Sequence, residues 1–246
     1  MFVQIQAEPR ALFPALGAWL LRGLIGLTAL ILGHVHGARA HSLDDVDALL
    51  KSDEKYFQQI DKPMPDFTLR TADGRVVRPA DLRGKVVVVH FVYTSCTDVC
   101  PLHAEKIAEI QKMVNGTPMK DQVTFVSITT DPARDTPEVL RKYGPTHGLN
   151  PVNWLFLTTS QDQPEDTTRK LAEAFGHKFT KTEDGIQAHG IVTHVIDKEG
   201  YWRANFHGLD FAPVNLVTFI NALTNNVEHP HHEQDEGWLA KLKSFF

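Results

Sequence analysis

The sequence predicts an α/β fold, with a central sheet, mostly parallel but antiparallel at its edge, flanked by helices. Three observations predict it. Residues 86–93 (VVVVHFVY) form an unbroken β-branched and aromatic run, long enough for one buried strand. After that run, strand-like stretches alternate with stretches of helical period, the order that joins parallel strands through helices. Near the end, IVTHVID and YWRANF flank Lys198-Glu199-Gly200, which reads as a hairpin. The 246 residues, 42% of them hydrophobic, suffice for one core, and they contain no internal repeat.

The elements follow in order. Residues 1–40 are set aside as a targeting segment: Arg10 and Arg22 precede the apolar run GLIGLTALILG, and Ala38-Arg39-Ala40 has the small-x-small form of a cleavage site. The apolar run is shorter than the roughly 20 residues of a spanning helix. It therefore reads as a cleaved export signal, with an uncleaved N-terminal anchor or an organelle presequence as alternatives. Export in a bacterium would place the body in the periplasm or on the outer face of the inner membrane. Residues 41–62 are an acidic, helix-prone lead-in, and residues 63–225 the domain. Within it, PMPDFTL (63–69) is an opening strand, and Asp73-Gly74 turns the chain into Arg75-Val76-Val77. Residues 81–85 feed the valine strand. A helix follows, with Pro101 in its first turn, Leu102, Ile107, Ile110 and Val114 at helical spacing, and Asn115-Gly116 as its end. Residues 123–128 (VTFVSI) are a second buried strand opening into Thr129-Thr130-Asp131-Pro132. Thr136 caps the next helix, with Pro137 at its first position. Residues 154–157 are a third strand, 164–175 an amphipathic helix stopped by Gly176, and 214–223 the last helix. Residues 226–246 form a tail, His-rich (EHPHHE) and then basic and aromatic (WLAKLKSFF).

The formal charge is −5, and since residues 1–40 carry Glu8, Arg10, Arg22 and Arg39, a net of +2, the rest carries −7. A mildly acidic body without a basic cluster argues against nucleic acid as a partner. The chemistry points instead to Cys96 and Cys100, the only cysteines, which lie on the turn from the valine strand into its helix. A spacing of four in a helical turn puts both sulfurs on one side, able to bond to each other or to grip one ion. The helix N-terminus favours thiolate over thiol. A structural disulfide would close so short a loop that it constrains little of the unfolded chain; redox or metal chemistry is the better account. Of the eleven histidines after residue 40, His189 stands out because a strand begins directly after it, at Gly190-Ile191-Val192-Thr193.

In thioredoxin-like proteins the loop entering the equivalent strand lies against the cysteine turn, with a proline before the threonine; here Val192 takes that place. Tyr93-Thr94-Ser95-Cys96, Cys100-Pro101, Asp131-Pro132, Asp135-Thr136-Pro137 and His189 together resemble the Sco/SenC family, thioredoxin-fold copper proteins of cytochrome c oxidase assembly. The resemblance spans residues 63–223. It implies a thioredoxin-like sandwich, with a central mixed sheet flanked by helices, and copper, as Cu(I) or Cu(II), held by Cys96, Cys100 and His189. It also implies delivery of the ion to a cuproprotein such as a cytochrome c oxidase subunit, and Asp131 as a nearby acid. Two departures are visible: Thr97 stands where the family commonly has proline, and Ala188-His189-Gly190 where it usually has Asp-His-Ser, so the carboxylate beside the imidazole is absent.

Two thiolates and an imidazole suit Cu(I) and can hold Cu(II). Zinc would prefer a closed four-ligand site. Three ligands leave a position open to a recipient's own ligands, and a Cys96–Cys100 disulfide would abolish binding, so redox state would gate loading. The implied role is a chaperone rather than an enzyme. Its rivals are a thiol–disulfide reductase that keeps partner cysteines reduced and needs only Cys96 and Cys100, a thiol peroxidase, and a structural disulfide domain. A thiol reductant protein is a further expected partner, and the N-terminus offers membrane association. Among the other histidines, His103 is either a third ligand or a helix-surface or hydrogen-bonding group. His194 reads as a packed strand residue and His90 as a satisfied core residue. The tail reads as either a weak copper collector or a solvated linker, its end as either membrane-touching or frayed. His41 would chelate copper only as a new N-terminus.

Overall fold

The structure is a computed structural model that describes residues 43–181, 187–188 and 190–225. In chain order its elements are α1 (Leu43–Asp53), β1 (Phe57–Pro63), β2 (Leu69–Thr71), β3 (Val76–Val77), β4 (Val86–Val92), α2 (Val99–Asn115), β5 (Val123–Thr129), α3 (Pro137–Thr146), β6 (Trp154–Thr158), α4 (Thr167–Ala174), β7 (Thr180–Lys181), β8 (Gln187–Ala188), β9 (Val192–Ile196), β10 (Tyr201–His207) and α5 (Pro213–Thr224). Eight strands form one sheet in the order β1-β10-β9-β4-β5-β6-β2-β3, and β7 pairs with β8 apart from it.

The sheet is mixed, and less parallel than the order of elements predicts. Only β4–β5 and β5–β6 run parallel; β9 lies antiparallel to β4, β10 to β9, β1 to β10, β2 to β6 and β3 to β2. Helical crossovers α2 and α3 join just the three central strands, and the short β2–β3 and β9–β10 connections enforce antiparallel pairing. All seven residues of β4 and of β5 are buried. Successive side chains point to opposite faces. Val86, Val88 and Val92 therefore pack with Ile107, Ile110 and Val114 of α2 and Phe219 of α5, while Val87, Val89 and Phe91 pack with Leu171, Phe175 and Trp202. Burial on both faces is why the run does not alternate.

Local departures have local causes. The opening strand does not run over residues 63–69: Pro63 ends β1 and β2 begins at Leu69, because Pro63 and Pro65 have no N–H to give a ladder. The lead-in contributes two elements of its own. α1 packs on α5, and β1 pairs with β10 from Phe57↔Phe206 to Pro63↔Tyr201. The α2 helix ends at Asn115 as expected, yet Gly116 has φ −77° and its N–H bonds to the Lys112 carbonyl, so no left-handed cap is used. Gly176 does use one, at φ +87° after α4. Thr136 caps α3 by accepting from the Val139 N–H, as the sequence indicates.

Candidate metal centre

The cysteines stand where the carboxyl ends of β4 and β5 meet the start of α2. The Thr130 N–H donates to the Val92 carbonyl at 2.8 Å, and the Cys96 N–H to the Tyr93 carbonyl at 3.1 Å, which folds Tyr93, Thr94 and Ser95 into a tight turn. Cys96 closes that turn and Cys100 is the second residue of α2. Both thiols are free and buried. The Cys100 N–H points at the Cys96 sulfur, 3.5 Å away.

The two sulfurs differ. Burial raises the Cys96 thiol, but the N–H groups of Cys100 and Asp98, with the Cys100 thiol and the Tyr93 hydroxyl, outweigh it and leave its pKa below the ordinary thiol value. For Cys100, burial dominates and pushes the thiol up to about 12, with the charges of Cys96 and Asp135 adding to it. The helix N-terminus therefore prepares one thiolate, not two as its dipole alone suggests. Cys100 is held in its protonated form at neutral pH.

Asp135 holds the turn. Its carboxylate accepts from the Thr94 N–H at 3.2 Å, from the Thr94 hydroxyl and from the Thr129 hydroxyl, and it is 1% exposed. Burial raises its pKa despite those donors. Asp131, the acid that the resemblance placed near the cysteines, is mostly buried and paired with the exposed Arg134 at 2.5 Å. The sequence contained the signal for Asp135, in Asp135-Thr136-Pro137, but not its partners.

The other candidate ligands fall out as follows. His103 does not face solvent: it turns toward the sheet, 2% exposed, with Nε2 at 2.9 Å from the Thr193 hydroxyl and its ring 4.9 Å from that of His90. It is a hydrogen-bonded core residue. His194 is packed in its strand as expected, with Nδ1 2.7 Å from Asn205 Oδ1 and Nε2 2.9 Å from His177 Nε2. His90 is only half satisfied. Trp154 Nε1 donates to the Ser127 hydroxyl at 2.9 Å, that hydroxyl lies 3.1 Å from His90 Nε2, and His90 Nδ1 has no hydrogen-bond partner among the described residues. Val192, in the place of the thioredoxin proline, is paired with His207 in the β9–β10 ladder. His189, the tail histidines, His41 and residues 1–40 lie outside the described residues. Among those described, no three His, Cys, Asp or Glu side chains converge as a metal site, and no helix is long and apolar enough to cross a membrane. Two soft sulfur donors on one turn suit copper.

Burial pushes the His90 imidazole down to about 3. Because the folded pKa lies below the unfolded one, the folded state binds fewer protons between the two values. His90 is thus neutral to stability above about pH 6.5 and destabilising as pH falls below it, by about 2 kcal/mol at pH 5. Asp47, raised to about 6 chiefly by burial, works in the opposite direction. The contribution of His90 is therefore read as a difference: between pH 6.5 and 4, stability should depend less steeply on pH in His90→Leu than in the wild type. Parallel curves would show that the imidazole reaches water.

The SCO1/SenC family model matches residues 57–224. Among curated proteins the chain is similar to a SCO2-like protein of Rickettsia prowazekii, 32% identical over 153 residues that cover 61% of this chain and 72% of that one. Among solved structures it resembles a SCO1/SenC family lipoprotein from Bacillus anthracis, with a TM-score of 0.61 and 27% identity over 68% of this chain and 97% of that one. It also shares the fold of yeast Sco1 solved with copper bound, with a TM-score of 0.58 and 22% identity over 73% and 98% of the two chains.

Proposed function

Because the chain belongs to the SCO1/SenC family, we propose that it is a copper chaperone, binding one copper ion through Cys96, Cys100 and His189 and delivering it to a cuproprotein, cytochrome c oxidase first among candidates. The observation that carries this reading is the free, buried dithiol at the strand-to-helix turn, with its two sulfurs unequally prepared. Cys96 meets the ion as a thiolate. Cys100 gives up its proton as the positive charge enters, and the His189 imidazole supplies a borderline donor that leaves coordination positions for a recipient. The protein works from the periplasm or the outer face of the inner membrane, exported by residues 1–40, and it is a carrier rather than an enzyme.

The test is a Cu(I) titration of the reduced full-length chain against a competing chelator. One ion should bind tightly to the wild type, weaken by 100-fold or more in His189→Ala, roughly the loss of a ligand that holds the metal directly, and be lost when the dithiol is oxidised. A mutant that binds as well as wild type removes His189 from the site.

A thiol–disulfide reductase is the second reading, favoured by the same inequality. The Cys96 thiolate attacks one sulfur of a partner's disulfide, forming a mixed disulfide and releasing the partner's first thiolate. Cys100 gives up its proton and displaces the second, which leaves a Cys96–Cys100 disulfide and a reduced partner. This chemistry needs no imidazole, so reductase turnover should survive His189→Ala.

A further inference from the structure

The start of α2 is weakly held by its own sequence. Asp98, at its head, makes no side-chain cap, Leu102 is half exposed, and Val99 and Pro101 are only partly buried. Before Ile107 the buried residues are Cys100, His103 and Ala104, so His103 is the first large side chain that the helix turns inward. It meets a polar row in an otherwise apolar face. Thr193 on β9 lies opposite His90 on β4, and His90 lies beside Ser127 on β5, so the three share one face of the sheet. His103 Nε2 is 2.9 Å from the Thr193 hydroxyl, and its ring is 4.9 Å from that of His90. The Ser127 hydroxyl, 3.1 Å from His90 Nε2, ties the row to the Trp154 indole. All four polar residues are 2% exposed or less. Apolar contact is non-directional, whereas a buried hydrogen bond excludes every arrangement that leaves its donor or acceptor unpaired. In this part of α2 the His103–Thr193 contact is therefore what fixes how the helix lies on the sheet.

We propose, resting on the copper reading of the dithiol, that His103 is a positioning residue for the two sulfurs. Its hydrogen bond to Thr193 seats the first turn of α2, and that seating sets the Cys100 sulfur against the Cys96 sulfur. Cys96 takes its place from the turn that leaves β4, where its N–H bonds to the Tyr93 carbonyl. Cys100 takes its place from α2, and His103 follows it by one turn on the same side of the helix. The spacing of the pair thus depends on how the helix start is docked, and neighbours that orient ligands matter to a metal nearly as much as the ligands do. His103 does this without touching the ion and without gaining or losing a proton.

The experiment compares His103→Leu, His103→Gln and the double variant His103→Leu with Thr193→Val, each in the reduced full-length chain. Leucine leaves the Thr193 hydroxyl buried without its partner, so the thermal midpoint should fall; the double variant removes both polar groups and should regain most of it. Cu(I) affinity, read by chelator competition, should still be about tenfold weaker in both, because both lack the directional contact. Glutamine, whose amide can replace Nε2 as a partner for the hydroxyl, should keep the wild-type affinity. An affinity that recovers with the thermal midpoint in the double variant overturns the proposal and makes the hydrogen bond a folding contact only. So does wild-type affinity in His103→Leu, or a glutamine variant as weak as the leucine one. If the wild type takes up no copper, the copper reading has failed, and His103 is judged on the sulfurs alone. The equilibrium between the Cys96–Cys100 disulfide and glutathione should then shift about tenfold toward the dithiol in the double variant, since a loosened thiol is less concentrated at its neighbour. An unmoved equilibrium overturns the proposal.

Discussion

Asp135→Ala should destabilise the protein by about 3 kcal/mol and weaken Cu(I) binding by about 100-fold. The carboxylate is the shared acceptor for the Thr94 N–H and for the hydroxyls of Thr94 and Thr129. Alanine leaves these donors buried without an acceptor, at about 1–3 kcal/mol each, and the gain from no longer burying a charge offsets only part of that. Thr94 is two residues before Cys96, so the loss falls on the turn that sets the spacing of the sulfurs. Asp135→Asn keeps one acceptor oxygen and should lie between the two. Urea unfolding and chelator competition on the same samples separate the effects. Wild-type copper affinity in a destabilised Asp135→Ala would show that the turn holds its shape without the carboxylate.

Gly144→Ala should be as damaging, against the rule that alanine strengthens a helix. Inside α3 the exchange is worth about 1 kcal/mol in favour of alanine from propensity alone. Here a Cβ would lie 2.1 Å from Trp154 Cη2 and 2.3 Å from its Cζ3. The indole cannot easily retreat, because its N–H is bonded to Ser127 and its ring packs on Phe156 in an edge-type contact with centroids 5.6 Å apart. Overpacking of this sort costs about 1–3 kcal/mol and occasionally more, and an approach this close puts the cost at the top of that range or just above it, about 3–4 kcal/mol. The clash therefore decides the sign, with a net loss of about 2–3 kcal/mol and a fall in thermal midpoint of about 4–12 °C. A variant as stable as wild type would mean that α3 can shift away from the sheet at little cost.

The elements that could be read from the sequence are those whose pattern follows from burial. β4 and β5 announce themselves as unalternating apolar runs because both of their faces are covered. β1 was illegible because FQQIDKP has almost no apolar signal; it exists through its ladder with β10, some 140 residues away, and no local pattern encodes that. The site divides in the same way. Cys96 and Cys100 could be placed on their turn from spacing alone, and the fold agrees. Asp135 was visible as a residue but not as the anchor of Thr94, which is 41 positions earlier. For His103, three residues after Cys100, the sequence leaves open a ligand, a helix-surface residue or a hydrogen-bonding group, and the structure shows the last. The Thr193 hydroxyl that holds it belongs to β9, 90 residues on. Helical spacing tells which residues share a face, not which face is turned to the sheet.

The two margins of the sheet bear on how such a chain can meet others. β1 ends in Pro63, carries Asp61 and Lys62, and its register with β10 breaks between Gln59 and Lys62. At the other margin β3 is two residues long, with Arg75 and Arg78 on either side. A proline, a bulge, charge and brevity are the devices by which a strand refuses to template a neighbour. Edge-to-edge growth into fibrils or strand-swapped pairs is thus discouraged at both ends.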